Sequence, residues 1–374
     1  MYNRIYGDLQ KLLQKGKVTV LYGPRRVGKT TLVEHFIKNS NLKCKFVSGD
    51  NIDVRNVLSS QSSKTIGKYI EGYELLAIDE AQRIPNVGLG LKILVDNFPN
   101  IFVVITGSAS LDLSYKIGEP LVGRKFTYYL YPLWIGELAE QKNSYELSEE
   151  KEERMVYGSY PEVLTAKTDS EKVKILEENV SSYLLKEIIE IEHIGNTKLL
   201  LDLLKLVAFQ VGNEVSLTEL GNTLGIDKKT VQRYLSLFEQ SFIVFNLRGY
   251  SRNLRKEITK KSKYYFLDNG IRNSIIKNFN NINTRNDVGA LWENYLISER
   301  LKKHEYQHLY SNNYFWRTWD GQEIDWVEER DGKLFGFEFK WNKKEVKSPT
   351  QWISTYSHAS FEVINKETFM DFVT

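Results

Sequence analysis

A glycine-rich stretch at residues 23–31, GPRRVGKTT, constrains the fold of this chain more than any other feature. It follows an apolar run at residues 18–22 and precedes a segment with apolar residues at helical spacing, an order that predicts a strand, a loop and a helix. Every fixed position of the pattern G-x-x-x-x-G-K-[ST] is filled, by Gly23, Gly28, Lys29 and Thr30. Such a loop turns backbone N–H groups towards phosphate oxygens at the positive end of a helix.

The loop therefore predicts a binding site for the phosphates of a nucleotide such as ATP. We expect Lys29 to reach the outer phosphates and the Thr30 hydroxyl to hold Mg²⁺. Arg25 and Arg26 are candidates for contact with a phosphate or a partner, and the sequence does not rank them. The predicted nucleotide contacts within the loop are Gly23, Pro24, Arg25, Arg26, Val27, Gly28, Lys29, Thr30 and Thr31.

Two acids end the apolar run LLAIDE at residues 75–80. A strand that is apolar throughout is buried on both faces, as parallel strands are, and its carboxyl end lies where open α/β sheets bind ligands. We expect Asp79 to hold Mg²⁺ and Glu80 to polarise the attacking water. The alternative is an ordinary strand end with an acid that caps a helix, and the upstream loop favours the catalytic roles.

A further buried strand is predicted at residues 101–106, and it ends in Gly107 and Ser108. Ser108 is expected either to contact the γ-phosphate or the attacking water, or to cap the next turn. Arg124 precedes another predicted strand at residues 126–130, near the expected nucleotide edge. It is a candidate arginine finger, and a surface charge is the alternative.

Composition bounds the rest of the chain. Its 374 residues suggest two or three domains, and 26% charged with 41% hydrophobic residues is ordinary globular composition. The net charge of +3 is too small to imply nucleic-acid binding by itself. The single cysteine, Cys44, excludes an internal disulfide and suits a reducing compartment. Residues 1–16 lack the apolar core of a signal peptide and no run approaches the roughly 20 apolar residues of a membrane span, so we expect a soluble cytoplasmic protein with no membrane partner.

Several stretches together resemble a known family. GPRRVGKT, LLAIDEAQRIP, ITGSAS and LVGRKFTYYLYPL are similar to the AAA-like P-loop ATPases of bacteria and archaea that carry a C-terminal domain of unknown function. YGSYPEV at 157–163 and YFLDNGIR at 265–272 extend this resemblance over nearly the whole chain. The resemblance implies ATP as the bound nucleotide with Mg²⁺, and Glu80 as the general base.

The middle of the chain predicts helices and then a DNA-binding module. A linker is expected at 141–155 and a helical lid or bridge at 171–208. Residues 216–247 predict a winged helix-turn-helix, in which Gly225 marks the turn and Asp227 caps the second helix. That helix is expected to present to DNA the side chains of Lys228, Lys229, Gln232 and Arg233.

A basic stretch follows where a wing would lie. It carries six cations against one acid, Glu257: Arg252, Arg255, Lys256, Lys260, Lys261 and Lys263. Such a patch favours contact with DNA phosphates. The alternative is that this module docks to a neighbouring domain.

Asp331 and Gly332 lie between two strand-like runs and predict a two-residue β-hairpin. Counting outward gives the pairs Arg330–Lys333, Val327–Gly336, Asp325–Glu338 and Glu323–Lys340. The last three pairs would share one face, and the other face would hold Ile324, Trp326, Phe335, Phe337, Phe339 and Trp341. The Cβ atoms of Asp325 and Glu338 would then lie about 5 Å apart. Because like charges so placed repel unless a positive charge lies between them, we expect the two carboxylates to share a divalent cation.

A helix that begins at Trp292 is predicted to turn Glu293 inward. Glu293, Asp325 and the triplet Glu338-Phe339-Lys340 resemble the D…E-x-K motif of the restriction-endonuclease-like nuclease fold. This resemblance implies a metal-dependent nuclease, with Glu293, Asp325, Glu338 and Lys340 catalytic and with Asp325 and Glu338 as metal ligands. The alternative is a structural sheet with a Glu323–Lys340 salt bridge.

The predicted fold class is α/β: a P-loop NTPase parallel sheet, then a helical and winged-helix module and a restriction-endonuclease-like α/β domain. The predicted bounds are 1–140 for the ATPase domain, 141–212 for the linker and lid, 213–263 for the winged helix and 264–374 for the nuclease-like domain. We expect ATP hydrolysis coupled to DNA binding and Mg²⁺-dependent DNA cleavage. The sequence leaves open whether the chain forms a homo-oligomer. The alternative is a nucleotide-driven switch that binds DNA or protein, with the C-terminal domain as a docking module.

Overall fold

The computed structural model describes residues 2–108, 117–184, 197–251, 262–342, 345–356 and 358–374. They form two compact units: the first runs to Pro132 and includes Gln240–Phe242, and the second comprises the remainder. Within these ranges no helix combines the length and the apolar character needed to cross a membrane.

The first unit is built on a parallel five-stranded sheet with the strand order β2-β3-β4-β1-β5. Its strands are β1 Val18–Tyr22, β2 Cys44–Ser48, β3 Leu75–Asp79, β4 Phe102–Gly107 and β5 Lys125–Tyr129. Its helices are α1 Lys29–Asn39, α2 Ile52–Ser59, α3 Ser63–Ile70 and α4 Val87–Asn97, with 3₁₀ turns at Leu9–Leu12 and Ala81–Arg83. The strand, loop and helix predicted around the glycine-rich stretch are confirmed.

The burial of its strands agrees with the parallel arrangement of this sheet. All five residues of β1 are buried, as are the first four of β3, so both strands carry apolar side chains on both faces. The register pairs Tyr22 with Gly107 and Ile78 with Ile105, which aligns the carboxyl ends of β1, β3 and β4. The residues that follow these strands therefore meet at one edge of the sheet.

The second unit holds a mixed seven-stranded sheet with the strand order β12-β11-β10-β9-β7-β8-β6. Its strands are β6 Glu214–Val215, β7 Val244–Gly249, β8 Ser262–Phe266, β9 Asn312–Arg317, β10 Glu323–Arg330, β11 Lys333–Phe339 and β12 Ser360–Ile364. Its helices are α5 Ile135–Ala139, α6 Ser144–Glu149, α7 Lys151–Tyr157, α8 Pro161–Thr165, α9 Asp169–Glu178, α10 Thr197–Phe209, α11 Leu217–Leu224, α12 Lys228–Gln240, α13 Asn269–Ile275, α14 Val288–Tyr306, α15 Thr350–Thr355 and α16 Phe369–Val373. A π-helical turn, Asn179–Leu184, follows α9, and a 3₁₀ turn lies at Ile282–Thr284.

One sheet spans the two C-terminal modules that the sequence predicts as separate. The parallel pairing of β7 with β9, with Arg248 opposite Tyr314, joins the strands of both. The predicted domain bounds remain predictions.

Two helices joined by a tight turn lie where the helix-turn-helix was predicted. Gly225 caps the C-terminus of α11, and its φ of +68° is the left-handed conformation that glycine adopts readily. Asp227 caps α12 by accepting hydrogen bonds from the N–H groups of Lys229 at 2.8 Å and Thr230 at 3.0 Å. The predicted DNA-facing side chains are all exposed: Lys228, Lys229, Gln232 and Arg233. The basic residues at 252–261 lie outside the described part of the chain.

The predicted hairpin register is confirmed near the turn. Asp331 and Gly332 have φ values of +49° and +72°, as a type I′ turn requires. Arg330 pairs with Lys333 and Val327 with Gly336, as counted from the sequence.

A β-bulge changes the face of Ile324. The pairing of β10 with β9 shifts between Ile324 and Val327, and both side chains pack with Trp352 in one apolar cluster. The prediction that Ile324 faces away from Val327 is therefore wrong, because one extra residue in a strand reverses the alternation of its side chains.

Helix α14 packs on the other side of β10 through a buried ion pair. The Glu328 carboxylate is fully buried and accepts hydrogen bonds from Arg300 Nε at 2.6 Å and Arg300 Nη2 at 3.0 Å. Trp326 Nε1 donates to it at 2.8 Å, and His304 Nε2 lies 2.8 Å from Glu328 Oε1. Burial opposes ionisation of Glu328, but the contacts with His304 and Arg300 outweigh it and hold its pKa well below its usual range.

We predict that Glu328→Gln destabilises the second unit by about 3 kcal/mol at pH 7, because the Arg300 charge loses its buried partner. Because the pKa of Glu328 is depressed by folding, the advantage of the wild type is complete above the unfolded-state pKa of roughly 4.3 and shrinks as the pH falls below it. Urea unfolding followed by tryptophan fluorescence measures this, since all 7 tryptophans lie in the second unit. Glu329, the half-buried neighbour of Glu328, provides the control: Glu329→Gln should change the free energy of unfolding by less than about 0.5 kcal/mol. Equal effects of the two substitutions would contradict the prediction.

Candidate functional site

The glycine-rich loop connects β1 to α1 at the carboxyl edge of the first sheet. A Cβ on Gly23 would lie 2.0 Å from the Leu130 carbonyl oxygen, so only glycine fits this close approach. Gly28 caps α1 with a φ of +94°. The Lys29 ammonium is buried and donates to the Gly23 and Pro24 carbonyl oxygens at 2.7 and 2.8 Å. The loop thus folds around the ammonium group of Lys29, at the start of α1.

An arginine that sequence analysis missed anchors this loop. Arg4 donates from Nη1 to the Val27 carbonyl oxygen and from Nη2 to the Tyr131 carbonyl oxygen, both at 2.6 Å. It ties the loop to the segment after β5. Nothing local to Arg4 in the sequence predicts this contact, because its partners lie 23 and 127 residues away.

The Thr30 hydroxyl and the Asp79 carboxylate lie together, as predicted for a pair that would share Mg²⁺. Thr30 Oγ1 is 2.9 Å from Asp79 Oδ2 and 3.1 Å from Asp79 Oδ1. Thr106, on the intervening strand β4, also donates its hydroxyl hydrogen to Asp79 Oδ1. A hydroxyl and a carboxylate from different elements thus converge beside the phosphate-binding loop.

Glu80 follows Asp79 in a left-handed conformation, with a φ of +51°. Gln82 Nε2 donates a hydrogen bond to Glu80 Oε2 and another, at 3.1 Å, to Ser108 Oγ. The structure therefore brings together Glu80 and Ser108, which the sequence singled out, through Gln82, which it did not. The two-residue spacing between Glu80 and Gln82 is the only local signal that would have suggested Gln82.

Arg124 lies at the amino ends of the strands, opposite the end of the sheet that carries the loop. The Val18 N–H, at the start of β1, donates to the Arg124 carbonyl oxygen at 2.8 Å, whereas the loop follows Tyr22 at the end of that strand. The Arg124 guanidinium is half exposed and forms an ion pair with Asp96 at 2.6 Å. Within one chain the structure does not bring Arg124 to the loop. Arg25, Arg26 and Thr31 lie in the loop and the first turn of α1, partly or fully exposed.

Four acids and two lysines form a second cluster, in the second unit. Glu293 comes from α14, Glu323 and Asp325 from β10, Glu338 from β11 and Lys340 from the residue after β11, while Lys263 comes from β8. All four residues predicted for the nuclease-like motif are members. The Glu293 helix begins at Val288, four residues before the predicted start.

The position of Lys263 corrects a prediction. The sequence placed Lys263 in an exposed basic wing, but only 1% of its side chain is exposed. Its ammonium forms an ion pair with Glu323 and lies 3.7 Å from Glu293 Oε1. Burial lowers the pKa of Lys263, but the charges of Glu293, Asp325 and Glu323 outweigh burial and raise it. Lys263 is thus the internal cation of the acid cluster.

Asp325 and Glu338 have different partners. Asp325 Oδ2 accepts a hydrogen bond from the Phe339 N–H at 2.8 Å, and Lys340 Nζ donates to Glu338 Oε1 at 2.6 Å. Glu338 Oε2 is buried and has no hydrogen-bond partner among the described residues. The alternative Glu323–Lys340 bridge does not fit, since Glu323 pairs with Lys263 and Lys340 with Glu338.

The sequence predicted that Asp325 and Glu338 of this cluster share a divalent cation. Within the part of the chain that the structure describes, no three His, Cys, Asp or Glu side chains are grouped so that they could hold a metal ion. The predicted ligands of a second cation are only two, Asp325 and Glu338. The orphaned oxygen Glu338 Oε2 fits a bound cation, whereas the Lys263 ammonium already neutralises part of the charge.

Burial, followed by the crowding of like charges, raises the pKa values of the carboxyl groups in this cluster. Burial and then the charge of Asp325 raise the pKa of Glu293 to about 8, although Tyr265 donates a hydrogen bond to it at 2.5 Å. The same two causes raise the pKa of Glu338 to about 7. Burial also raises the pKa of Asp325. Near neutral pH the cluster therefore holds protons that separate carboxylates would release.

We predict that Lys263→Met destabilises the second unit by about 3 kcal/mol at pH 8 in the presence of EDTA, because buried carboxylates lose their cation. The loss should be smaller at pH 6. Acids with raised pKa values, such as Glu293 at about 8, favour the folded state when protonated and oppose it as the pH rises towards that value. Urea unfolding followed by tryptophan fluorescence at both pH values tests this, with the exposed Lys333→Met as the control. A loss that does not depend on pH would show that Lys263 only fills space.

Comparisons with known families divide the chain into three parts. Residues 15–139 match the AAA domain family. Residues 148–282 match a domain of unknown function, DUF8612, and residues 288–367 match another, DUF4143. The first match covers the loop, Asp79 at the end of β3, Glu80, Ser108 and Arg124.

Relatives along most of the chain are uncharacterized proteins. One from Mycobacterium tuberculosis is 25% identical over 339 residues, which are 89% of this chain and 72% of that protein. One from Methanocaldococcus jannaschii is 28% identical over 281 residues, 70% of this chain and 63% of that protein. A Thermotoga maritima RuvB structure matches with a TM-score of 0.30 and 16% identity over 64% of this chain and 83% of that one, too low to carry a structural argument. Residues 15–139 are therefore similar to AAA domains, and the parallel sheet with its glycine-rich loop agrees with that match.

Proposed function

We propose that the first unit binds ATP with Mg²⁺ and hydrolyses it to ADP and phosphate. The observation that carries this proposal is the contact between the Thr30 hydroxyl, at the start of α1, and the Asp79 carboxylate, at the end of β3. It lies beside a loop whose Gly23 leaves no room for a side chain. Oxygen ligands of this kind suit Mg²⁺, and the loop suits phosphate oxygens.

Each residue has a distinct task in this proposal. Lys29 exchanges its bonds to the Gly23 and Pro24 carbonyl oxygens for bonds to the outer phosphates. Thr30 and Asp79 hold Mg²⁺, which when bound neutralises charge on the phosphate oxygens. The loop N–H groups orient the triphosphate, and Arg25 and Arg26 contact phosphate or a partner.

Glu80 acts as the general base. Its carboxylate accepts a proton from water as the water oxygen bonds to the γ-phosphorus. The bond from that phosphorus to the β–γ bridging oxygen breaks, and ADP leaves with the electron pair. Inorganic phosphate and one proton are the other products.

We predict that Glu80→Gln lowers kcat for ATP hydrolysis at least about 100-fold while the Kd for ATP changes little, because an amide cannot accept the proton. Lys29→Ala should instead weaken ATP binding. A coupled phosphate-release assay and calorimetric titration with ATP measure the two quantities. Glu71→Gln, an exposed acid of the same unit, is the control and should behave as wild type. Full activity of Glu80→Gln would overturn the assignment of the base.

Phosphodiester cleavage by the second unit is a second candidate function. It is supported by the convergence of Glu293, Asp325, Glu338 and Lys340, which are dispersed in sequence, and by the orphaned oxygen Glu338 Oε2. The substrate in this proposal is DNA, held by the exposed face of α12 and by the basic stretch at 252–261. The alternative is a nucleotide-driven switch that binds DNA or protein without cutting, and the ion pair of Lys263 supports it.

If the second unit cleaves DNA, we predict that the wild type cuts plasmid or single-stranded DNA only when a divalent cation is present. Asp325→Ala should abolish this cutting, because the Asp325 carboxylate would hold the cation. Glu80→Ala should still cut. Glu329→Gln, on the same strand, is the matched control and should cut as wild type. Gel assays with Mg²⁺ or Mn²⁺, with and without ATP, measure the result. Wild-type protein that binds DNA without cutting it selects the switch.

A role for Arg124 as an arginine finger requires a second copy of the chain. Arg124 lies at the edge of the sheet opposite its own loop, so it could approach only the nucleotide of a neighbour. We therefore include a homo-oligomer in the proposal.

A further inference from the structure

Gln82 lies between the two groups on which the proposed hydrolysis depends. It sits in the 3₁₀ turn Ala81–Arg83, two residues after the proposed base. Its amide nitrogen Nε2 donates to Glu80 Oε2 and, at 3.1 Å, to Ser108 Oγ. These two hydrogen bonds go to residues that follow different strands, β3 and β4, and they fix the plane of this amide.

The orientation of the Gln82 amide follows from charge. A carboxylate only accepts hydrogen bonds, so the amide atom that faces Glu80 must be the NH₂ group. The amide oxygen Oε1 then points away from both partners. It is buried and has no hydrogen-bond partner among the described residues.

A buried amide oxygen without a donor is costly, by roughly 1–3 kcal/mol. Native proteins rarely leave one without a reason. Oε1 belongs to an amide held beside the proposed base and beside Ser108, at the edge of the sheet that carries the phosphate-binding loop. A water molecule that approached the γ-phosphate there would supply the missing donor.

We propose that Gln82 is a water-positioning residue for ATP hydrolysis: its amide oxygen accepts one hydrogen bond from the attacking water while its amide nitrogen aims Glu80 at the other hydrogen. This assignment rests on the proposed function of the first unit. One water hydrogen stays bonded to the water oxygen and forms a hydrogen bond to Gln82 Oε1, and the second passes as a proton to Glu80. The water oxygen bonds to the γ-phosphorus, the bond to the bridging oxygen breaks, and ADP leaves with its electrons. Gln82 itself gains and loses no proton.

Two substitutions separate this role from a structural one. Gln82→Met keeps the length of the side chain but removes both polar atoms, and it should lower kcat by about 10- to 100-fold. The Kd for ATP should change by less than about threefold, because Gln82 does not hold the nucleotide in this proposal. The midpoint of thermal unfolding should match that of wild type. Gln14→Ala, an exposed glutamine of the same unit, is the control.

Gln82→Glu tests the contact with the base. The new side chain keeps an acceptor oxygen for the attacking water but, as a carboxylate, cannot donate a hydrogen bond to Glu80. Its kcat should therefore fall about as far as that of Gln82→Met. A kcat equal to that of wild type would show that the hydrogen bond to Glu80 plays no part and would overturn the proposal.

The outcomes are distinguishable. If wild type hydrolyses ATP and Gln82→Met keeps its kcat, the assignment of Gln82 fails while the proposed function stands. If Gln82→Met loses ATP affinity as much as kcat, Gln82 is a binding residue and the proposal is again wrong. If wild type binds ATP but releases no phosphate, both proposals fail.

Discussion

The hydrogen bond between the Thr30 hydroxyl and the Asp79 carboxylate is the interaction on which the first unit depends. It joins the start of α1 to the end of β3, although β4 lies between β3 and β1 in the sheet. Thr106 of β4 bonds to the same carboxylate, so three neighbouring elements meet at one acid. Parallel strands make this possible, because their carboxyl ends all reach the same edge.

Local patterns predicted the parts of the molecule that depend on near neighbours in sequence. The sequence alone predicted the glycine-rich loop, the two acids at residues 79 and 80 and the hairpin at Asp331. Each of these features needs only a few adjacent residues in a fixed backbone conformation. The hairpin register followed from a two-residue turn, since such a turn leaves one way to count. The predicted nuclease-like residues also proved to be neighbours, although their chemistry remains a proposal.

The sequence could not predict contacts that depend on how distant segments pack. Lys263 reads as one more cation in a basic stretch, yet the pairing of β8 with β7 buries it among carboxylates. Arg4 carries no local pattern, and Gln82 carries only its spacing from Glu80, because Val27, Tyr131 and Ser108 are brought to them by the tertiary fold. The bulge near Ile324 was not predicted for the same reason. The prediction assumed that side chains alternate regularly along β10, but the register of β10 shifts where it pairs with β9.

The continuous sheet of the second unit has a structural consequence. Hydrogen bonds from β7 to β9 run across the point at which the chain would be cut into a helix-turn-helix module and a nuclease-like module. If the two halves were separated, the paired edges of β7 and β9 would be exposed. Their unpaired backbone N–H and C=O groups would promote aggregation. The two halves therefore depend on each other for the pairing of these strand edges.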